Sequence, residues 1–406
     1  MCRIQGMYSS ELSAADDPPV GGHVLIVSAG VGAGHDGAAV ELARRLRARG
    51  VGVEVRDYLE ALPGWAGRLL RDGYSPIVQY TPWLFEWIFT SLERRRWAQS
   101  VAAWFCGLAQ SSVRGWVGGA DVIVSTYPLA SQTLGQLRQR GQLVDPVVTF
   151  LTDPAAHRTW IHPSVDEHLT VTAATAAHAA AHYPVSLRAV GALTEPRFRD
   201  AVESGRRRAL RRELGVEGLP VVLMSAGSLG IGRVPDTVDA VLHHPRVRVV
   251  VLCGRNGRLR QRLERRERVV ALGWRRDIPE LMAAADVLVH NAGGLSFTEA
   301  LVAGLPAITY LPIPGHGRAN AAVLAEAALA PWPTCPAGLA EAIDTVCAHP
   351  RSRPAARSVL RASTRPTSSS TCSSGPRWDA QTRRSPISAP PEQRQRWTHG
   401  GMVGRW

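Results

Sequence analysis

Unbroken apolar runs, each followed by a small-residue turn, set the pattern of this chain. Val24–Val27 leads through Ser-Ala-Gly into Gly32-Ala-Gly34, and Val222–Met224 leads through the same Ser-Ala-Gly into Gly230-Ile-Gly232. Ala120–Thr126 (ADVIVST) is echoed by Ala285–Asn291 (ADVLVHN). Further runs are Val147–Leu151, Val287–His290 and Ala307–Leu311, and Cys253–Asn256 closes another. Runs without polar alternation mark parallel strands covered on both faces. The glycine turns lead into helical sequence, most clearly Gly37–Arg49, stopped by Gly50. The pattern predicts an α/β protein of two Rossmann-like halves, residues 22–190 and 205–345, joined by a linker at 191–204. A ligand would lie in the cleft between them. Residues 1–21 read as a disordered lead and 346–406 as an Arg/Ser/Pro-rich disordered tail, either native or translated out of frame.

A chain of 406 residues exceeds one ordinary core, which agrees with two halves. The net charge of +13 points toward nucleic acid, but 11 arginines against Asp379 and Glu392 place +9 of it in residues 351–406. The remaining +4 gives no nucleic-acid footprint. The chain contains no Lys, so a P-loop or Schiff-base lysine is ruled out. The six cysteines, at 2, 106, 253, 335, 347 and 372, lack metal or disulfide spacing, and the default is a reduced, cytoplasmic compartment. No N-terminal signal segment is evident, and Trp97–Val113, a stretch free of Asp, Glu, Arg and His, is too polar to span a membrane.

Candidate chemistry collects where strands end. Gly293-Gly294-Leu295 follows a strand and opens a helix, so its N–H groups and the helix dipole favour an anion. Glu299 lies one turn on, in reach of a ribose diol; Ser296 and Glu299 also fit a capping box. Gly32–Gly37 fits GxGxxG, with Asp57 twenty residues later, and so admits a dinucleotide enzyme. His35 inside that loop argues against close approach of a pyrophosphate. As a neutral imidazole at a helix start it can instead take a proton from a hydroxyl. Asp153, at the end of Val147–Leu151, can orient His35, bind an acceptor, or cap a turn.

Segment 286–320 resembles the donor-binding region of family 28 glycosyltransferases, in the branch of monogalactosyldiacylglycerol synthases and processive diacylglycerol glucosyltransferases. Ser28–His35, Thr152–Trp160, Ser225–Gly232, Cys253–Asn256 and Pro314–Asn320 carry the same resemblance, in family order, over about residues 22–345. The resemblance implies a GT-B architecture, with an acceptor half and a UDP-sugar half. It implies catalytic roles for His35 and Asp153, and acceptor contacts from Gly34, His157 and Trp160. Donor contacts are implied for Gly227, Ser228, Gly254, Arg255, Trp274, Gly293, Gly294, Leu295, Glu299 and Asn320, with Trp274 near the uracil edge. No metal-ligand cluster is evident, so N–H groups and Arg255 would meet the leaving diphosphate, without a cofactor. The chain departs from the pattern at Asp36, where a basic residue is common, at Asn291, and at His316 and Gly317, where a Gln–Glu pair is usual.

Trp83–Leu108 holds two amphipathic helical faces with Arg94-Arg95-Arg96 between them. Trp87, Trp97 and Trp104 with the three arginines suit an anionic membrane surface; an ordinary core-facing pair is the alternative. The reading implied is an inverting, metal-independent transferase moving a hexose from a UDP-sugar to a lipid hydroxyl, such as that of diacylglycerol, peripherally on the inner membrane face. Alternatives are transfer of N-acetylglucosamine to the peptidoglycan lipid precursor, a UDP-sugar 2-epimerase, and a chain that only binds.

Overall fold

The computed structural model describes residues 21–31, 33–203, 205–291 and 294–348. The expected lead up to residue 20, Gly293, and the tail from residue 349 lie outside the described residues.

Two parallel sheets form, one in each half. The first contains β1 (His23–Ser28), β2 (Gly52–Asp57), β3 (Val122–Ser125), β4 (Val147–Leu151), β5 (Glu167–Thr170) and β6 (Leu187–Ala189), in the order β2-β1-β3-β4-β5-β6. The second contains β7 (Val221–Ser225), β8 (Arg248–Leu252), β9 (Val269–Leu272), β10 (Val287–His290) and β11 (Ala307–Thr309), in the order β11-β10-β7-β8-β9. Ile26 lies opposite Val55 and Val124, and Leu288 opposite Leu223 and Ala307. The apolar runs become strands because helices cover both faces: Leu25, Ile26, Val222, Val249 and Leu288 are all fully buried. Each such side chain contributes about 1.5–3 kcal/mol of transfer free energy.

The strand order reverses beside β1 in the first sheet and beside β7 in the second. Ligands of open α/β sheets bind at the carboxyl ends of strands at such points. The loops after β1 and β3, and those after β7 and β10, are therefore the places to look.

Three boundaries differ from those expected. The first long helix starts at Ala33 rather than Gly37, so Gly34 and His35 lie in its first turn. Residues Arg197–Glu203, expected as linker, form a helix whose Phe198 packs with Leu281 and Leu301 in the second half's core. The last described helix, Pro336–Ala348, runs past residue 345 and seats Leu339 and Ile343 against the second sheet.

Residues 64–107 form three consecutive helices, Gly64–Tyr80, Pro82–Arg94 and Arg96–Gly107. No helix among the described residues is long and apolar enough to cross a membrane. The segment faces both ways: Cys106 is buried, Phe105 and Leu108 pack on the first core and Phe85 on Val78, as the core-facing alternative expects, while one face stays open. Trp83 is 70% exposed, Trp87 50%, Trp97 52% and Trp104 62%, and Arg94, Arg95 and Arg96 are exposed between them.

Candidate functional site

His35 stands at the first reversal point, in the helix after β1. Its Nδ1 lies 2.9 Å from the carbonyl oxygen of Thr126, just beyond β3, and 3.2 Å from Thr152 Oγ1, just beyond β4. A carbonyl oxygen can only accept, so Nδ1 carries the proton and donates it. The neutral ring then holds its free lone pair on Nε2. Tyr127 meets the imidazole edge-on at 5.2 Å between centroids, and Trp160 lies tilted at 5.7 Å. Burial holds the His35 pKa below the ordinary histidine value, against the opposing pull of Asp153, the Thr126 carbonyl and Asp36. Asp36 raises this pKa, but desolvation of the buried ring outweighs it; Asp36 itself accepts from Ser28 Oγ at 3.0 Å and is pushed up by burial. The ring is a neutral base ready at neutral pH.

Asp153 lies at the carboxyl end of β4 and holds the two halves together. Its Oδ2 accepts from the indole Nε1 of Trp160 at 3.1 Å, and its Oδ1 from Asn320 Nδ2 of the second half at 3.1 Å. Asn320 Oδ1 in turn accepts from the Ala155 backbone N–H at 2.9 Å. Trp160 is 1% exposed and Asn320 fully buried, so both brace Asp153 rather than offering open contact surface to an acceptor or a sugar. His157 is likewise engaged. Its Nδ1 accepts from the Thr159 backbone at 3.2 Å, which leaves the Nε2 proton for the Phe89 carbonyl at 3.2 Å, and its ring stacks on Phe89 at 4.1 Å. It ties the Arg158–Trp160 turn to the Pro82–Arg94 helix.

The second half brings its loops to the same cleft. The loops after β7 and β8 interlock: Arg255 N–H donates to the Ser228 carbonyl at 2.9 Å, and Asn256 Nδ2 to the Gly230 carbonyl at 3.0 Å. Gly254 holds φ +58°, and a Cβ there would run into the Gly227 carbonyl oxygen at 2.7 Å, so only glycine lets these loops meet. Arg255 lies over the Trp274 ring, 4.9 Å from its centroid, and Trp274 is 53% exposed. The pair forms an open cationic shelf at the ends of β8 and β9. Gly294 starts the helix after β10, and Leu295 packs on the first half, 3.2 Å from where a Cβ on Gly37 would stand and 3.9 Å from one on Gly34. Gly34 thus faces the other half's helix start.

Glu299 faces inward one turn along that helix. Burial, assisted by Glu195 and opposed by Arg197, pushes its carboxyl up to about 8. The capping box does not form, because Ser296 lies within the helix and its hydroxyl pairs with Ser225 Oγ at 2.9 Å. Glu299→Ala is expected to weaken UDP binding by about 1–3 kcal/mol, measured by calorimetry; unchanged affinity in a folded variant removes Glu299 from the nucleotide site.

The dinucleotide fingerprint finds no matching site. Asp57 caps the helix at Tyr58, accepting from Leu59 N–H at 2.9 Å, and Gly37 abuts Leu295. Other residues of the cleft give no local signal in sequence. Thr126 acts through its carbonyl, which any residue supplies. Gln79 Oε1 accepts from Gly232 N–H at 3.0 Å and Glu86 Oε2 from Gly315 N–H at 2.8 Å, each across the two halves.

Comparison with known proteins matches each half to a glycosyltransferase-related family. The family model described as monogalactosyldiacylglycerol (MGDG) synthase matches residues 35–182, and that of glycosyl transferases group 1 matches residues 221–349. The chain is 28% identical over 210 residues to the processive diacylglycerol beta-glucosyltransferase of Bacillus pumilus (strain SAFR-032), covering 50% of this chain and 54% of that one. It is 24% identical over 319 residues to the protein of the same name from Bacillus cereus (strain G9842), covering 73% of this chain and 78% of that one. The chain thus spans about half the length of the first of these relatives. Acinetobacter baumannii MurG shares the fold at TM-score 0.52 and 18% identity, over 84% of this chain and 98% of that one. Anabaena Alr3699/HepE, solved with UDP-glucose, does so at TM-score 0.50 and 15% identity, over 84% and 94%. The resemblance to family 28 and its diacylglycerol-glycosylating branch is therefore borne out, and the architecture is GT-B.

Proposed function

We propose that this chain is an inverting glycosyltransferase that moves a hexose from a UDP-sugar to a lipid hydroxyl, such as that of diacylglycerol, at the cytoplasmic membrane face. One observation carries the reading: the Thr126 carbonyl fixes the His35 proton on Nδ1 and leaves Nε2 as a base, opposite the nucleotide-type loops of the second half. The acceptor oxygen attacks the anomeric carbon, its proton passes to Nε2, and the bond from that carbon to the diphosphate oxygen breaks. Asp153, whose charge favours protonated His35, stabilises the imidazolium as it forms. Charge on the departing UDP is met by the Gly294 helix start, the N–H groups of the loops after β7 and β8, and Arg255. Glu299 takes the ribose. A divalent ion has no assigned role, so transfer is expected to persist at full rate in EDTA; a rate restored only by added Mg2+ or Mn2+ contradicts this.

Support for the lipid acceptor comes from the relatives' names and from the exposed aromatic face of residues 83–104. Tryptophans with arginines at their edge suit an interface of anionic headgroups. Replacing Arg94, Arg95 and Arg96 by Gln is expected to weaken binding to anionic vesicles by about 1 kcal/mol per charge, read by sedimentation at low ionic strength. Equal binding by the variant removes this face from the membrane.

Radiolabelled UDP-sugars offered with mixed membrane lipids test the function. Label in a glycosylated diacylglycerol supports it. Label in the peptidoglycan lipid precursor assigns the chain to the N-acetylglucosaminyl reaction, free sugar isomer to an epimerase, and intact donor with UDP binding to a non-catalytic role.

A further inference from the structure

Glu93 lies in the last turn of the Pro82–Arg94 helix, and none of the chemistry above uses it. Its half-buried carboxylate meets two separate parts of the first half. Oε2 accepts from the Arg158 backbone N–H at 2.9 Å and stands 3.3 Å from His157 Nε2, while Oε1 accepts from the Tyr183 hydroxyl at 2.8 Å. The Glu93 carbonyl accepts from Arg158 Nε at 3.3 Å, and Phe89, one turn earlier, stacks on His157. The first N–H groups of any helical turn lack partners within it, and Arg158–Trp160 is one such turn. Glu93 takes the first of these N–H groups. The carbonyl side has a separate anchor, because Gln132 Nε2 donates to the carbonyls of Thr159 at 3.0 Å and Ile161 at 2.8 Å. Without Glu93 the turn would swing about Gln132 rather than unravel.

What the turn carries is the setting of the base. Trp160 ends it, donates to Asp153 Oδ2 at 3.1 Å, and lies 5.7 Å from the His35 ring. We propose that Glu93 is a positioning residue: it suspends the 157–160 turn from the Pro82–Arg94 helix, and so holds Trp160 and Asp153 against the catalytic base. Arg94, Arg95 and Arg96, the next three residues, are exposed, so one helix end joins the outer arginine face to the surroundings of His35. This rests on the general-base reading of His35.

The test is single-turnover transfer by the full chain against pH, joined to NMR titration of the His35 ring in histidine-labelled protein, its signal assigned by loss in His35→Ala. A remote change that misplaces a reacting group by about 1 Å costs about 100-fold, so Glu93→Ala should lower the rate by about 10- to 100-fold. UDP affinity should stay within about twofold. The titratable groups around His35 are Asp153 at the end of β4, Asp36 on its own helix and His316 of the second half, and burial outweighs them. A loosened turn admits water to the ring and relieves that burial, so the acid limb and the NMR titration should both move to higher pH. Glu93→Gln keeps an oxygen for the Arg158 N–H and should recover most of the rate. Glu93→Asp, one methylene shorter, gives the same readouts where Glu93→Ala does not fold. An unchanged rate and titration in Glu93→Ala, loss of UDP affinity in parallel with the rate, or a rate that Glu93→Gln does not mend overturns the proposal. A wild type that transfers no sugar defeats the function proposed above instead, and the NMR titration still decides whether Glu93 sets the surroundings of His35.

Discussion

His35→Ala is expected to lower the rate of sugar transfer by about 100- to 10,000-fold, the contribution of a positioned general base. UDP affinity should hardly change, because the loops proposed to take the nucleotide belong to the other half. The pH profile gives a second readout. Since burial lowers the His35 pKa, the base stays neutral below the usual histidine range, and the wild-type rate should fall only as pH drops through that lowered value. Single-turnover transfer measured against pH, for both proteins, checks this. A variant with near-normal rate, or a wild-type acid limb at or above about 6.5, removes His35 from the base's role.

Asp153→Ala is expected to show the largest loss of stability among the cleft variants. The indole N–H of Trp160, 1% exposed, loses its acceptor, and the bond from Asn320 across the halves is lost with it. An abandoned buried donor costs about 1–3 kcal/mol, so the two together should destabilise the chain by about 2–4 kcal/mol, read from the urea midpoint. Asp153→Asn, which keeps one carbonyl oxygen, should recover part of this. The chemical rate should fall as well, and any residual activity should show its acid limb at lower pH, because Asp153 raises the His35 pKa. An Asp153→Ala protein of unchanged midpoint contradicts the bridging role.

The strands were legible because parallel strands covered on both faces leave an unmistakable record. Val147–Leu151 and Val287–His290 read from the sequence as they form. The loops were legible because a glycine turn after such a run has few structural uses, and Gly254 has the positive φ its place requires. Helix limits were less so. The Gly34–Gly37 glycines suggest a loop, yet packing against Leu295 draws them into the first helical turn. The linker misled because Arg197–Glu203 is a short helix, and Phe198, Ala201 and Val202, although spaced as one face, span barely one turn.

Residue types in the site could be read; their partners could not. His35 and Asp153 stand out by motif, but Asp153–Asn320 spans 167 positions and Gly315–Glu86 spans 229, so neither leaves a local pattern. Asn320 shows the limit well. Its motif position suggests a sugar contact, whereas its amide bridges the halves. His157 and Trp160 differ from expectation for the same reason, since long-range packing decides what a buried polar group meets.

The central claim is tested most directly by NMR of the full chain with an α-linked UDP-hexose and diacylglycerol vesicles, following UDP and the anomeric proton of the product together. One UDP released per lipid glycoside, with the new linkage β, is the predicted result. UDP released with free sugar, a product that keeps the α configuration, or a donor left intact contradicts it.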